Sequence, residues 1–356
     1  MITLSLCMIV RNEEDVLGRC LESAKKIADE LIIVDTGSDD RTVGIAREFT
    51  DKVYFFKWTD DFSAARNFSF SKAGGDFIMW LDADDVILEK DLNGILRLKG
   101  ELDADTGTVF LRYNTAFDDR GEPTFWYYRE RIVKNCADAV WREPVHEAIV
   151  PFGKILYRDA AVTHKKLRQN PPGRNLKILE RYIRSGNALS PRLQYYYGRE
   201  LMYNGKTAAA VRVFEKFLRG GDGWVENNIG ACKDLAACYK LSGKRDKAAD
   251  ALLKSFSFGV PRPEALCELA LLFLEKGDLK SAAYWYGAAL KPLPDGPVLG
   301  FTKSDCRGFI PAIQLAVIYD RLGERETAAK YNDLAGSFKP DHPSYLANKR
   351  YFQNKF

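Results

Sequence analysis

Four glycines in the second half of the chain, Gly205, Gly243, Gly277 and Gly323, sit in one recurring residue pattern. Five residues after each stands an alanine: Ala210, Ala248, Ala282 and Ala328. Seven before each is a small residue (Gly198, Ala236, Ala270, Ala316), and four before each a large one (Leu201, Tyr239, Phe273, Tyr319). Small side chains facing large ones across a tight glycine turn are what two antiparallel helices need to pack closely. The stretches 197–214, 235–252, 269–286 and 315–332 are therefore predicted to be helical hairpins. The glycines are spaced 38, 34 and 46 residues apart, and the longest gap contains the Pro/Gly-rich segment 291–308, read as an inserted loop.

Before about residue 165 the periodicity is different. Apolar runs at 4–10, 31–34, 53–56 and 77–81 alternate with amphipathic stretches: Leu17, Leu21, Ala24 and Ala28, then Val43, Ala46 and Phe49, then 62–73. Buried strands separated by helices in this order predict βαβ units and a mainly parallel sheet. The expected architecture is an α/β domain over 1–170 followed by an all-α repeat domain over 171–356. With 356 residues, 46% of them hydrophobic, the chain can build both cores. Its net charge of +4 comes from interleaved residues and forms no basic stripe, so nucleic acid is not an expected partner. Seven cysteines without a C-x-x-C pair read as reduced thiols of a cytoplasmic protein, not as a zinc site or disulfide framework. Arg11, Glu13, Glu14 and Asp15 interrupt the first apolar run and no later run reaches bilayer length, so no membrane span is expected.

Ligands of such sheets sit beyond the carboxyl ends of the strands. The clearest chemical signal lies there, in Leu81-Asp82-Ala83-Asp84-Asp85. Residues i and i+2 of extended backbone point the same way, so Asp82 and Asp84 project together. Paired carboxylates suit a hard divalent ion, Mg²⁺ or Mn²⁺, with positions left for phosphate oxygens. Asp35 ends the second run, where a carboxylate can accept hydrogen bonds from a nucleobase or ribose. After the first run, Asn12 is expected to cap a helix while Glu13 faces the cleft, and Ser38 and Asp39 are expected to cap the next helix. Arg66 can pair with a phosphate or with the acidic cluster.

The stretches LCMIVRNEE, IIVDTGSDDRT, DFSAARN and FIMWLDADD, in this order across most of residues 1–165, resemble the family 2 glycosyltransferases of the GT-A fold. The resemblance implies an enzyme that binds a nucleoside-diphosphate sugar, most commonly a UDP-sugar. By it Val10, Glu13 and Asp35 hold the nucleoside, Asp82 the ribose and diphosphate region, and Asp84 the metal. Where many members have V-D-D-G-S, this chain has Asp35-Thr36. The glycine-centred pattern resembles tetratricopeptide repeats. W-x-x-x-V-H-E at 141–147, Thr163-His164, Arg174-Asn175-Leu176 and Tyr-Gly-Arg-Glu at 197–200 look like the subfamily with such repeats behind the transferase domain, a group that includes the S-glycosyltransferases of glycosylated bacteriocins. Its acceptors include peptides and proteins, and a repeat superhelix offers a concave surface for an extended chain.

Displacing a nucleoside diphosphate from the anomeric carbon in one step inverts its configuration and needs a base on the acceptor side. Family members place a carboxylate there, which implies Glu147, or His146 beside it. A late histidine can supply a further metal ligand in GT-A enzymes, and His164 is the candidate. Arg66 or Arg131 would help neutralise the leaving diphosphate. Trp141 can stack on a sugar face. The expected activity is thus metal-dependent, inverting transfer of a hexosyl or N-acetylhexosaminyl group to a Ser, Thr or Cys side chain of a peptide or protein, with a homodimer left open. Two alternatives compete: transfer to a saccharide or lipid-linked glycan, and a non-catalytic repeat adaptor with a degenerate transferase domain.

Overall fold

The four apolar runs become strands β1 (Leu4–Val10), β2 (Glu30–Asp35), β3 (Val53–Phe55) and β4 (Phe77–Trp80) in the computed structural model, which describes residues 2–167, 171–294, 296 and 298–353. They pair in parallel in the order β3-β2-β1-β4, with Val10 opposite Asp35. Helices α1 (Leu17–Ala24), α2 (Thr42–Arg47) and α3 (Phe62–Phe70) cross between them; α1 buries Leu17, Cys20, Leu21 and Ala24 on one face, while Ala28 and Phe49, expected on the faces of the first two helices, lie past their ends.

Past β4 the sheet gains strands that the apolar runs did not announce. After β5 (Asp85–Val86) and α4 (Glu89–Glu101) come β6 (Thr106–Phe117), β7 (Pro123–Lys134), the small ladder of β8 (Trp141–Arg142) and β9 (Ala148–Ile149), and β10 (Lys154–His164). The order continues β4-β7-β6-β10-β5, with β7 antiparallel to both neighbours and β5 antiparallel to β10. Alternate residues feed two apolar layers. Leu6, Met8, Ile33, Met79, Ile132 and Val162 pack with α1 and α4 on one face, while Cys7, Ile32, Ile78, Trp80 and Val133 pack with Phe70, Trp141 and Ile149 on the other. Helix α5 (Arg174–Arg184) follows, and Arg181 pairs with Asp60.

Two expected helix caps are corrected. Helix α1 begins at Leu17, and Asn12, at φ 55°, instead accepts the Asp39 N–H at 3.0 Å and donates its own N–H to Ser38 Oγ at 2.9 Å. For α2 the carboxylate that meets the helix start is Asp40, which accepts the Thr42 N–H at 2.9 Å. The polar residues after β1 and β2 are therefore tied to each other, closing the two strand ends into one bonded rim.

Contacts divide the chain into two units, Met1–Leu189 and Ser190–Phe356. The second is built of the expected hairpins: α6 (Pro191–Tyr203) with α7 (Thr207–Gly220), α8 (Val225–Leu241) with α9 (Arg245–Lys254), α10 (Pro263–Glu275) with α11 (Leu279–Ala289), and α12 (Phe309–Arg321) with α13 (Arg325–Phe338), followed by α14 (Pro343–Gln353). The turn glycines adopt φ of 73°, 72°, 80° and 84°, a region closed to most side chains. Among the described residues no helix is long and apolar enough to cross a membrane.

Within 291–308, Asp295 and Pro297 lie outside the described residues. The later part of this segment is more than a loop, because residues 300–306 lie across the first helices of three hairpins. The Arg199 guanidinium of α6 stands 4.7 Å over the Phe301 ring, a Cβ on Gly300 would meet Glu226 of α8 at 2.2 Å, and the Lys303 N–H donates to Glu264 of α10 at 2.8 Å.

A β-carbon on Gly198 would stand 2.5 Å from Phe214 Cε1, inside the α6–α7 contact. Gly198→Ala should therefore destabilise the repeat unit by about 1–3 kcal/mol through overpacking, although alanine favours helix. A lowered urea midpoint is the expected result, and a raised midpoint would show that the hairpin is not held by this contact.

Candidate active site

The DFSAARN stretch builds the wall of the site, and Asp61, Arg66 and Asn67 each have a separate task. Asp61 caps α3, its Oδ1 accepting the Ala64 N–H at 3.0 Å. Asn67 clamps β8 with two bonds, donating to the Trp141 carbonyl at 2.9 Å and accepting the Trp141 N–H at 2.8 Å. Between them Arg66, only 6% exposed, lies near the rings of Trp80 (4.7 Å) and Trp141 (4.9 Å). Its Nη2 donates to Asp82 at 2.7 Å and its Nε to Glu147 at 2.8 Å, so one guanidinium joins the turn after β4 to the turn before β9. Burial works against the charge of Arg66, but Asp82 and Glu147 outweigh it and hold its pKa above the ordinary value. For Asp82, burial favours the neutral acid, whereas Arg66, Arg131 and His164 keep its carboxyl well below the usual range.

The second half of the site gathers around His164, at the end of β10. Its Nδ1 lies 3.3 Å from Asp84 Oδ1, 3.3 Å from Asp85 Oδ1 and 2.8 Å from the Tyr113 hydroxyl. Burial alone would lower its pKa, but the two carboxylates raise it to about 9, so the ring is cationic at neutral pH and balances the acids it faces. Asp84, Asp85 and His164 bring one ligand atom each within 4.8 Å of one another. Two carboxylates with an imidazole form a donor set suited to Mn²⁺ or Mg²⁺, and filling the site requires the extra ring proton to leave.

The other sequence-derived candidates fall into two groups. Val10 and Asp35 end adjacent parallel strands, with Glu13 in the turn beyond, so all three share the rim. Asp35 is engaged by its own turn, accepting the N–H groups of Gly37 at 3.0 Å and Ser38 at 3.1 Å. His146, at φ 54°, forms the kink that turns Glu147 back toward Arg66. Arg131 lies deeper, wholly enclosed, with Nη1 3.0 Å from Asp85. Trp141 is corrected as a sugar platform: 2% exposed, it packs edge-on against Trp80 and Phe70 inside the core.

Sequence reasoning missed Asp85, Tyr113 and Arg129. Asp85 was the third acid of the motif, legible as a residue but not as a buried one. Tyr113 and Arg129 lie on strands β6 and β7, which no periodicity signalled. Arg129 stands 4.9 Å from the Trp80 ring and donates to the Glu147 carbonyl at 3.4 Å.

Residues 5–161 match the family described as glycosyl transferase family 2. A TPR repeat-containing protein of Synechococcus elongatus is 34% identical over 343 residues, covering 92% of this chain and 76% of its own length. The glycosyltransferase SunS of Bacillus subtilis is 25% identical over 236 residues, 61% of this chain and 53% of that protein. Among solved structures, the TPR protein YrrB aligns with 50% of this chain and 82% of its own, at 20% identity and a TM-score of 0.38. With the motif residues gathered at one rim of a mixed sheet and helical hairpins following in the sequence, this chain belongs to the family 2 glycosyltransferases that carry C-terminal tetratricopeptide repeats.

Proposed function

We propose that the chain is a metal-dependent, inverting glycosyltransferase that moves a hexosyl or N-acetylhexosaminyl group from a nucleoside-diphosphate sugar, a UDP-sugar first among them, to a peptide or protein side chain. The observation that carries this reading is Arg66, which holds Asp82 and Glu147 within hydrogen-bond distance of one guanidinium. That arrangement puts a carboxylate suited to the diphosphate side and a carboxylate suited to act as base within reach of one reacting centre.

In this reading Val10, Glu13 and Asp35 line the nucleoside end of the rim, and Asp82 faces the ribose and diphosphate. Asp84 and His164 are the ligands of the divalent ion, which when bound supplies positive charge to the diphosphate oxygens. Glu147 takes the proton of the acceptor hydroxyl or thiol as the acceptor atom bonds to the anomeric carbon. The bond from that carbon to the diphosphate oxygen breaks on the opposite face, and the nucleoside diphosphate leaves with the electron pair. Configuration therefore inverts. His146 sets the path of the backbone into Glu147, and Arg66 offsets charge on both carboxylates it touches.

The peptide or protein acceptor is supported by the repeat unit, because stacked helical hairpins of this kind offer a surface for an extended chain. The test is intact-mass measurement of candidate peptide and protein acceptors after incubation with a panel of nucleotide sugars and Mn²⁺. One hexose or N-acetylhexosamine added per site, abolished by EDTA, is the expected result. Transfer confined to saccharide or lipid-linked acceptors would replace the acceptor class. Neither transfer nor donor hydrolysis with any donor would leave the adaptor reading.

A further inference from the structure

Asp85 is the most heavily bonded carboxylate of the site, and it is fully buried. Its Oδ2 accepts the Asp82 N–H at 3.0 Å and stands 3.0 Å from Arg131 Nη1, while its Oδ1 accepts the Tyr113 hydroxyl at 2.9 Å and faces His164 Nδ1 at 3.3 Å. Arg131 is equally enclosed. It lies between the rings of Trp80 (3.9 Å) and Tyr113 (4.3 Å), and Nη1 also donates to the Trp80 carbonyl at 3.2 Å. Its Nε and Nη2 meet no hydrogen-bond acceptor among the described residues. A planar cation stacked on two rings can forgo those bonds, whereas a lysine ammonium in the same slot could not reproduce the stacking.

Three of the four contacts of Asp85 therefore run to the parts that must be held still: the backbone of Asp82, the ring of His164, and the tyrosine that touches that ring. By contrast the side chains of Asp84 and His164 remain about a fifth exposed, on the open side. We propose that Asp85, charge-balanced by Arg131 and braced by Tyr113, is not a metal ligand but the positioning residue that fixes the Asp82–Asp84 turn and the plane of His164. Arg131, on this view, acts on the donor only through Asp85 and does not touch the diphosphate. Partners of this kind orient the atoms that bind the ion without binding it themselves. The inference rests on the proposed cation site of Asp84 and His164.

Arg131→Met separates anchor from ligand by the sign of its effect. If Asp85 anchors, loss of its counter-charge loosens the turn, and Mn²⁺ affinity measured by electron paramagnetic resonance should fall about ten- to a hundredfold. If Asp85 is a ligand, freeing it from the guanidinium leaves Mn²⁺ binding unchanged or tighter, which overturns the proposal. Because Arg131→Met strands a buried carboxylate and can prevent folding, Tyr113→Phe is the second variant. It keeps the ring that stacks on Arg131 and removes only the hydroxyl. A near-native melting temperature with Mn²⁺ affinity reduced about tenfold is expected. A lowered melting temperature with unchanged Mn²⁺ affinity in the folded protein would make Tyr113 merely structural and refute the bracing. Should wild-type protein bind neither Mn²⁺ nor UDP, the cation site itself fails and this inference falls with it.

Discussion

Asp84→Ala should reduce sugar transfer by about a thousandfold or more while leaving the melting temperature close to that of the wild type. The side chain is partly exposed at the mouth of the site, and its removal opens no cavity in either apolar layer. Its removal gives up the 3.3 Å pairing with His164 but also relieves repulsion from Asp82 and Asp85, and these opposing effects leave little net change in stability. Metal affinity is the sensitive quantity, because on the proposed assignment Asp84 is the carboxylate that would hold the divalent ion beside His164. UDP binding should consequently become insensitive to Mn²⁺. Calorimetric titration of UDP with and without Mn²⁺, beside a turnover assay, checks both expectations. Turnover within tenfold of wild type would remove Asp84 from the metal role.

The second large effect concerns Glu147. Replacement by Gln keeps an oxygen that can accept from Arg66 Nε, now 2.8 Å away, so the bridge to Asp82 and the packing between the two tryptophans survive. Only the capacity to take a proton is lost. For a serine or threonine acceptor, kcat should fall about a hundred- to ten-thousandfold with UDP affinity unchanged. A cysteine acceptor gives another outcome, because a thiol ionises within about two pH units of neutrality and needs little assistance. The size of the Glu147→Gln defect therefore reports the acceptor atom. Loss of UDP binding together with turnover would assign Glu147 to holding Arg66 in place instead.

The residues of the candidate site were legible to different depths, and burial explains the difference. Asp82 and Asp84 could be named because they follow an apolar run and share a face in extended backbone. Arg66 could be named as a partner of the acids, yet its second bond, to Glu147, spans 81 positions of sequence, beside the point where Asn67 clamps β8 against α3. Asp85 looked like one more acid in a run of three. Only the fold shows that it opens β5 and is buried against Arg131 and Tyr113. The helix caps were misread for a related reason: Asn12, Ser38 and Asp39 bond across two neighbouring strand ends, a partnership that local propensity does not encode.

Local pattern was sufficient for whatever depends on neighbours a few residues apart. It determined the alternation that makes a parallel βαβ core, the left-handed turn glycines and small-to-large packing of the helical hairpins, and the chemical type of the groups at the strand ends. Tertiary structure alone decided which groups meet. Antiparallel β7, inserted beside β4, brings Arg129 and Arg131 to the Trp80 ring, and β10 brings His164 to Asp84 and Asp85. Those meetings arise from strand order and register over 50 to 80 residues of separation, and such pairing is fixed by the burial of whole sheet faces, which no short window of sequence contains.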